Sequence, residues 1–385
     1  MHDVKKLLLK IEERNEKLFY NYDMLIPSIE DLENFLCDIK YMKNINFTKK
    51  VLFPYEVKMN NEIEGYHQDI EKIVQIINNP RLRKNRLEEE YQRVINLCRG
   101  YNFVLEKNLI NKKNLKLLYS KLSKNLLDEN HSLRKKQYYR DSDVYIHFSC
   151  NVEAQPKVAV KPENINDFMD DLFEYINTSN INGSITDTFI KSQIIHFYFV
   201  YIHPYYDVNG RSARTVSLWY LINNEAYPLT LFNRGIPYDK SNYYKTIREA
   251  EKYKNLTYFL HYMLRRTNLE LEKEYVVDNI ESSITNKLSY LERQTLFYIL
   301  SNPSNNTLLD FTTLYNRYNK QKKAKDINVE LLQPLIDKDV IIRGDNTNKK
   351  NNYTHNYFYI LNSNFVDDDP TKIKKLNINK YKQNN

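Results

Sequence analysis

Only six glycines and eleven prolines interrupt 385 residues, and long stretches of Leu, Ile, Lys and Glu lie between them. So few breakers exclude collagen-like, silk-like and Gly-rich dinucleotide folds and predict a mainly α protein. The length allows two or three domains, and 42% apolar residues supply a proper core. Cys37, Cys98 and Cys150 are widely spaced and odd in number, which gives neither a disulfide framework nor a zinc cluster. A reducing, cytoplasmic setting is expected. No apolar run reaches the length of an export signal or a membrane span, so no membrane partner is expected. The net charge of +8 permits contact with nucleotides or nucleic acid without requiring it.

Hydrophobic periodicity divides the chain. Residues 1–110 read as an N-terminal helical region, with one apolar stripe at Ile11, Leu18 and Phe19. A second stripe, Ile70, Ile73, Val74 and Ile77, ends at Asn79-Pro80. A helix is predicted over 108–127. The period then shortens, and Val144-Tyr145-Ile146 with Lys157-Val158-Ala159-Val160 reads as a hairpin. Helices return over 163–177, after Thr186, over 209–223 and as a pair within 241–266, completing a core of residues 111–266. Residues 267–283 read as a helical connector. Three short helices (291–300, 308–315, 327–337) and two apolar strands follow within 284–365, which is a winged-helix pattern. Residues 366–385 are a polar tail.

One segment concentrates chemistry: His203-Pro204-Tyr205-Tyr206-Asp207-Val208-Asn209-Gly210-Arg211-Ser212-Ala213-Arg214. Pro204 stops the helix before it, and Asp207 or Asn209 is suited to cap the helix after it. The free amides of that second helix then point into the loop, a ready anion site. Arg211 and Arg214, three apart, share a helix face angled back toward the same end. Two guanidinium groups, bare amides, a carboxylate and an imidazole are the equipment for a magnesium-bound polyphosphate beside a general base. Taken singly, each has an ordinary explanation: a lone histidine is usually structural, Asn-Gly is a turn, and two arginines are a solvated face. Their fixed spacing together favours function.

The segment resembles the motif of the Fic family (filamentation induced by cAMP), HxFx(D/E)GN(G/K)RxxR, and the likeness extends over roughly residues 50–265. Tyr205 stands where the motif has Phe. Val208 stands where it has Gly, and a β-branched residue resists positive φ and brings bulk toward the phosphates. The resemblance implies a Fic-type helical core with a hairpin flap and a protein adenylyltransferase that moves AMP from ATP to a Ser, Thr or Tyr hydroxyl. Gly210, rather than Lys, favours this branch over the kinase-like one. By the same resemblance, His203 is the catalytic base and Asp207 holds Mg²⁺. Val208 (through its N–H), Asn209, Gly210 and Arg211 cradle phosphates, and Arg214 pairs with the γ-phosphate. Val144, Tyr145, Ile146 and His147 belong to the flap, which lines the nucleotide and aligns the target as an added strand. Tyr243 and Tyr244 fall near the expected adenine position, where helix packing explains them equally well.

Upstream, Asn60-Asn61-Glu62-Ile63-Glu64-Gly65 resembles the family's inhibitory motif (S/T)xxxE(G/N), with Asn60 in place of Ser or Thr. A carboxylate at Glu64 is able to form a bidentate pair with Arg214 and displace the γ-phosphate, which implies autoinhibition. Two rival readings stand beside this one. A DNA-binding regulator would place the helix at 326–337 in the major groove with Lys320, Lys322, Lys323 and Lys325, although Asp326, Glu330 and Asp337 oppose phosphate. The winged-helix pattern also suits contact with a second subunit in a homodimer. Alternatively, the same site removes AMP or transfers another nucleotide.

Overall fold

The computed structural model describes residues 53–79, 89–106, 108–129, 131–146, 157–178, 185–301, 307–319, 321–345 and 357–362. The stripe at Ile11, Leu18 and Phe19, the tail, and His147, Lys320, Cys37 and Cys150 lie outside them. The chain is mainly helical and forms two compact units, one of Met1–Tyr66 with Ile76–Asn268, the other of His67–Gln75 with Leu269–Asn385.

The first unit is built on α1 (Phe53–Ile63), α2 (Ile70–Asn78, shared with the second unit), α3 (Glu89–Leu105) and α4 (Lys112–Leu122). The two-stranded hairpin of β1 (Tyr145–Ile146) and β2 (Lys157–Val158) follows, then α5 (Ile165–Asn177), α6 (Ile185–Ile202), α7 (Asn209–Asn223), α8 (Lys240–Tyr253) and the start of α9 (Thr257–Ser283), whose residues from Leu269 on belong to the second unit. The helices of residues 53–66 and 89–105 thus belong to the same unit as the core that follows them. The expected connector, 267–283, is the second half of the 27-residue α9.

α5 is a surface helix of the expected kind: Ile165, Phe168, Met169, Leu172, Tyr175 and Ile176 recur at helical spacing and are buried. α6 and α7 differ, being buried almost all round, and they form the centre of the unit. Trp219 on α7 is fully buried, its indole N–H donating to the Asn108 carbonyl at 2.9 Å and its ring edge-on to Phe103.

The helix expected over 108–127 is shorter. The Asn111 side chain caps it by accepting from the Asn114 N–H (2.9 Å), and Ser123 closes it. Asn125 then adopts a left-handed conformation (φ 59°), which its short amide side chain tolerates. The hairpin pairs antiparallel, Tyr145 opposite Val158 and Ile146 opposite Lys157, with one further bond from the Ala159 N–H to the Val144 carbonyl.

In the second unit, α10 (Tyr290–Ser301), α11 (Leu308–Tyr318), α12 (Ala324–Ile327) and α13 (Gln333–Asp337) precede an antiparallel hairpin of β3 (Ile341–Asp345) and β4 (Tyr357–Leu361). Thr307 and Asp310 form a reciprocal capping box at the start of α11. The helix expected over 327–337 is widened into a π-turn at Asn328–Leu332. Pro334 explains this, because its ring crowds the carbonyl four residues back and offers no N–H to it. Arg293 is buried among Glu274, Asp278 and Glu281, tying α10 to the end of α9 within this unit. Among the described residues no helix is long and apolar enough to cross a membrane.

Candidate functional site

α6 ends at Ile202 because Pro204 forbids its continuation, and the chain reverses over six residues into α7. Two residues in that reversal take positive φ, His203 (54°) and Val208 (65°). Val208 is the N-terminal cap of α7 and makes no side-chain cap bond, so neither Asp207 nor Asn209 caps in the expected way. Each is engaged elsewhere. Asp207 Oδ1 accepts from the Val208 N–H (2.6 Å). Asn209 accepts from the Tyr205 N–H (2.9 Å) and donates to the Tyr205 carbonyl (2.8 Å), a closed two-bond clasp across the loop. Val208 does adopt the left-handed conformation that its branching opposes, at a cost of roughly 1–3 kcal/mol. Its side chain is buried, which returns roughly 1.5–3 kcal/mol.

Tyr205 anchors the loop in the core. It is fully buried and stacked on Tyr119 with ring centroids 3.6 Å apart. Its hydroxyl finds no hydrogen-bond partner among the described residues.

The His203 side chain is oriented by the helix it terminates. Nδ1 lies 3.2 Å from the Val200 carbonyl, and since a carbonyl only accepts, Nδ1 carries the proton and Nε2 keeps its lone pair. Burial is the main force that pushes this imidazole down to about 4, with the Arg140 charge acting in the same direction. The Val200 bond, Glu64 and Asp207 pull the other way. At neutral pH the ring is a free base.

Arg211 and Arg214 are buried, not a solvated face. Arg214 Nη2 donates to Glu64 Oε1 at 2.5 Å, Nε donates to Asn60 Oδ1 at 2.8 Å, and Nη2 also reaches the Asn60 carbonyl at 3.4 Å. The pair with Glu64 forms through Nη2 alone, while Asn60 occupies Nε; the bidentate geometry expected from sequence is not made. The same carboxylate lies against the start of α7, so close that a Cβ on Gly210 would meet Glu64 Oε1 at 2.5 Å. Burial alone would raise the Glu64 carboxyl, but Arg214 and Arg211 hold it below the ordinary range. The first helical bond runs from the Ser212 N–H to the Val208 carbonyl, so the amides of Asn209, Gly210 and Arg211 have no partner within the helix. Arg211 Nε is buried and without a partner among the described residues. An anion belongs here, and Glu64 supplies one.

The donor set suits a magnesium-bound nucleotide. Asp207 is exposed, and only Oδ1 is committed to Val208. Among the described residues no group of three His, Cys, Asp or Glu side chains could hold a metal by itself. Mg²⁺ needs no such cage when phosphates supply its other ligands.

Of the flap residues, Val144 is half-buried, Tyr145 exposed and Ile146 buried. Tyr243 lies on the core face of α8 with Ile247 and Ala250, its hydroxyl 2.9 Å from His196 Nε2 and its ring stacked on that imidazole. Tyr244, one residue round the helix, is half-buried, so of the two it alone keeps exposed surface. In the second unit Lys322 is ion-paired with Glu330, which lowers its availability to a nucleic-acid phosphate.

Several contributors escaped the sequence reading. Asn60 is more than a departure from a motif, since it binds Arg214 and donates to Tyr101 (2.8 Å). Glu56, four residues earlier, accepts from Asn233 and, at 3.4 Å, from Tyr101. Glu56, Asn60 and Glu64 recur every fourth residue, a polar stripe along one face that was visible in the sequence. Arg140, four residues ahead of Val144, is a further contributor.

Residues 109–221 match the model of the Fic/DOC family. Among solved structures, a Fic family protein from Desulfovibrio desulfuricans G20 is similar at 18% identity and TM-score 0.55, covering 89% of this chain and 98% of its own. Fic-1 (residues 134–508) from C. elegans is similar at 16% identity and TM-score 0.45, over 73% of each chain. A Fic-domain signaling protein from Bacteroides thetaiotaomicron VPI-5482 is similar at 16% identity and TM-score 0.46, over 63% of this chain and 97% of its own. Residues 109–221 are a Fic/DOC family domain, of a family known for AMPylation and related nucleotidyl transfer.

Two stability measurements test this site. Tyr205→Phe removes a buried hydroxyl with no partner and should stabilise the protein by about 1–3 kcal/mol in urea unfolding. Glu56 is pushed up to about 7, chiefly by burial, so its folded value exceeds its unfolded one. A raised carboxyl favours folding below its ordinary value of 4.5, and that contribution is lost as pH rises through about 7. Glu56→Gln should therefore gain stability relative to the parent as pH goes from 5 to 8, read as the difference in unfolding midpoint.

Proposed function

We propose that the protein is an adenylyltransferase that moves AMP from ATP to a Ser, Thr or Tyr hydroxyl of a protein, and that Glu64 holds it in check. The observation that carries this reading is the Glu64 carboxylate on Arg214, at the bare end of α7. A side-chain anion there takes the place of a terminal phosphate.

In the active arrangement Glu64 withdraws, and Arg214 receives the γ-phosphate in its stead. The amides of Asn209, Gly210 and Arg211 and the Arg211 guanidinium hold the other phosphates. Asp207 would bind Mg²⁺, which neutralises phosphate charge when present. His203 Nε2 takes the proton of the incoming hydroxyl, and the imidazolium is stabilised by the Nδ1–H bond to Val200. The hydroxyl oxygen bonds to the α-phosphorus as the bond to the β-phosphate oxygen breaks, and pyrophosphate leaves. The left-handed turn at His203 and the Tyr205 anchor keep the base in register with the helix end, so little reorganisation accompanies the transfer.

Incubation of the full chain with α-labelled ATP, magnesium and cell protein tests the reading. Glu64→Gly should raise labelling at least about tenfold over the parent, and His203→Ala in that background should lower it by about 10²–10⁴-fold. Equal labelling with and without His203 would remove the base, and flat labelling on Glu64→Gly would remove the inhibitory role. Because His203 is pushed down to about 4, the labelling rate should stay level as pH falls from 8 to 6 and drop only as pH approaches 4. An inflection near the ordinary imidazole value of 6.5 would contradict the half-buried, neutral base.

A further inference from the structure

Arg140 takes no part in the reaction just described, yet it is one of the most committed side chains in the first unit. It is only 2% exposed. Its Nε donates to the His203 carbonyl at 2.8 Å, Nη1 to the Ser142 carbonyl at 2.7 Å, and Nη2 to the Val160 carbonyl. Its own backbone N–H donates to the Pro204 carbonyl at 2.9 Å. Ser142 lies just before β1 and Val160 just after β2, so the guanidinium bridges both roots of the hairpin and the residue bearing the base.

We infer that Arg140 is a positioning residue: by gripping the carbonyls of His203, Ser142 and Val160 together, it fixes the hairpin that aligns the target relative to the imidazole that acts on it. The catalytic meaning of this inference rests on the proposed transfer reaction; the grip itself does not.

The chemistry of the contacts explains why this position calls for arginine. All three acceptors are neutral carbonyls lying in different directions, and a planar fork with five N–H donors reaches them at once. A lysine ammonium at the end of a flexible stem cannot hold the same spread. The grip also completes the fixing of His203. Its N–H is taken by the Phe199 carbonyl (3.0 Å) and its Nδ1 by the Val200 carbonyl, which leaves its own carbonyl, turned aside by the left-handed φ of 54°, to be held by Arg140. The neighbouring residue reinforces the link. Asp141 Oδ1 accepts from the Tyr206 hydroxyl at 2.5 Å, and the Asp141 N–H donates to the Tyr206 hydroxyl oxygen at 3.2 Å. On the opposite arm of the hairpin, Lys157 is ion-paired with Glu251 of α8 at 2.6 Å. Displacement of one reacting group by about 1 Å is enough to cost roughly a hundredfold in rate.

The test uses the full chain carrying Glu64→Gly, with Arg140→Lys and Arg140→Gln added separately. Three quantities are read: amide hydrogen exchange in residues 141–146 and 157–160, the dissociation constant for magnesium-ATP by calorimetry, and the rate of labelling of cell protein from α-labelled ATP. Both variants should speed exchange in the hairpin, leave ATP affinity within about twofold, and slow labelling by roughly a hundredfold. Unchanged hairpin exchange, or a labelling loss matched by lost ATP affinity, would overturn the inference. So would parental labelling in Arg140→Lys, which keeps charge without the fork. Where Arg140→Gln does not fold, Arg140→Lys alone decides. If Glu64→Gly labels nothing, the transfer reaction fails, while hairpin exchange still decides whether Arg140 makes the grip.

Discussion

A guanidinium with 1% of its surface exposed has to be matched by the protein, and the first unit is organised around matching Arg214. An uncompensated buried charge costs several kcal/mol. Asn60 on α1 and Glu64 just after it meet that demand from more than 140 residues away along the chain. Asn60 is in turn held by Tyr101, and Tyr101 by Glu56, so the match continues into α3. The bond that neutralises Arg214 also places a carboxylate at the amide end of α7. Structural neutralisation of Arg214 and occupation of the amide end of α7 by a carboxylate are here one contact.

The loop between α6 and α7 supplies the complementary half. Two non-glycine residues are held at positive φ, and local preference alone would abandon both. Tertiary contacts over-determine them. The Asn209 clasp closes the loop on itself, the Tyr205 ring is stacked beneath it on Tyr119, and Arg140 holds the His203 carbonyl from the hairpin side. Val208 holds its left-handed conformation with its side chain buried, which offsets the cost of that conformation. The buried, unpaired hydroxyl of Tyr205 is a desolvation cost of this anchor.

Much of this was legible beforehand, and the reason is local. Helix boundaries at 202 and 209 follow from Pro204 and from apolar periodicity, both properties of adjacent residues. The hairpin at 144–160 and the helices and strands of the second unit follow from changes of period in the same way. The shortfalls share one cause too. The helix predicted over 108–127 stops at Leu122 because its end depends on Asn125 turning left-handed, and the π-turn at Asn328–Leu332 depends on how Pro334 is accommodated.

The residue types for phosphate chemistry, their spacing around one helix end, and the Glu64 carboxylate upstream were determined by sequence alone. Tertiary structure decided what those residues do to each other. It paired Glu64 with Arg214 through Nη2 while Asn60 took Nε, and it turned Tyr243 inward onto His196. It also made Arg140 a bridge. The Arg140 bridge rests on which distant backbone carbonyls come within about 3 Å of a donor, and every residue carries the same carbonyl. Sequence cannot mark one carbonyl as special; only the folded chain selects it.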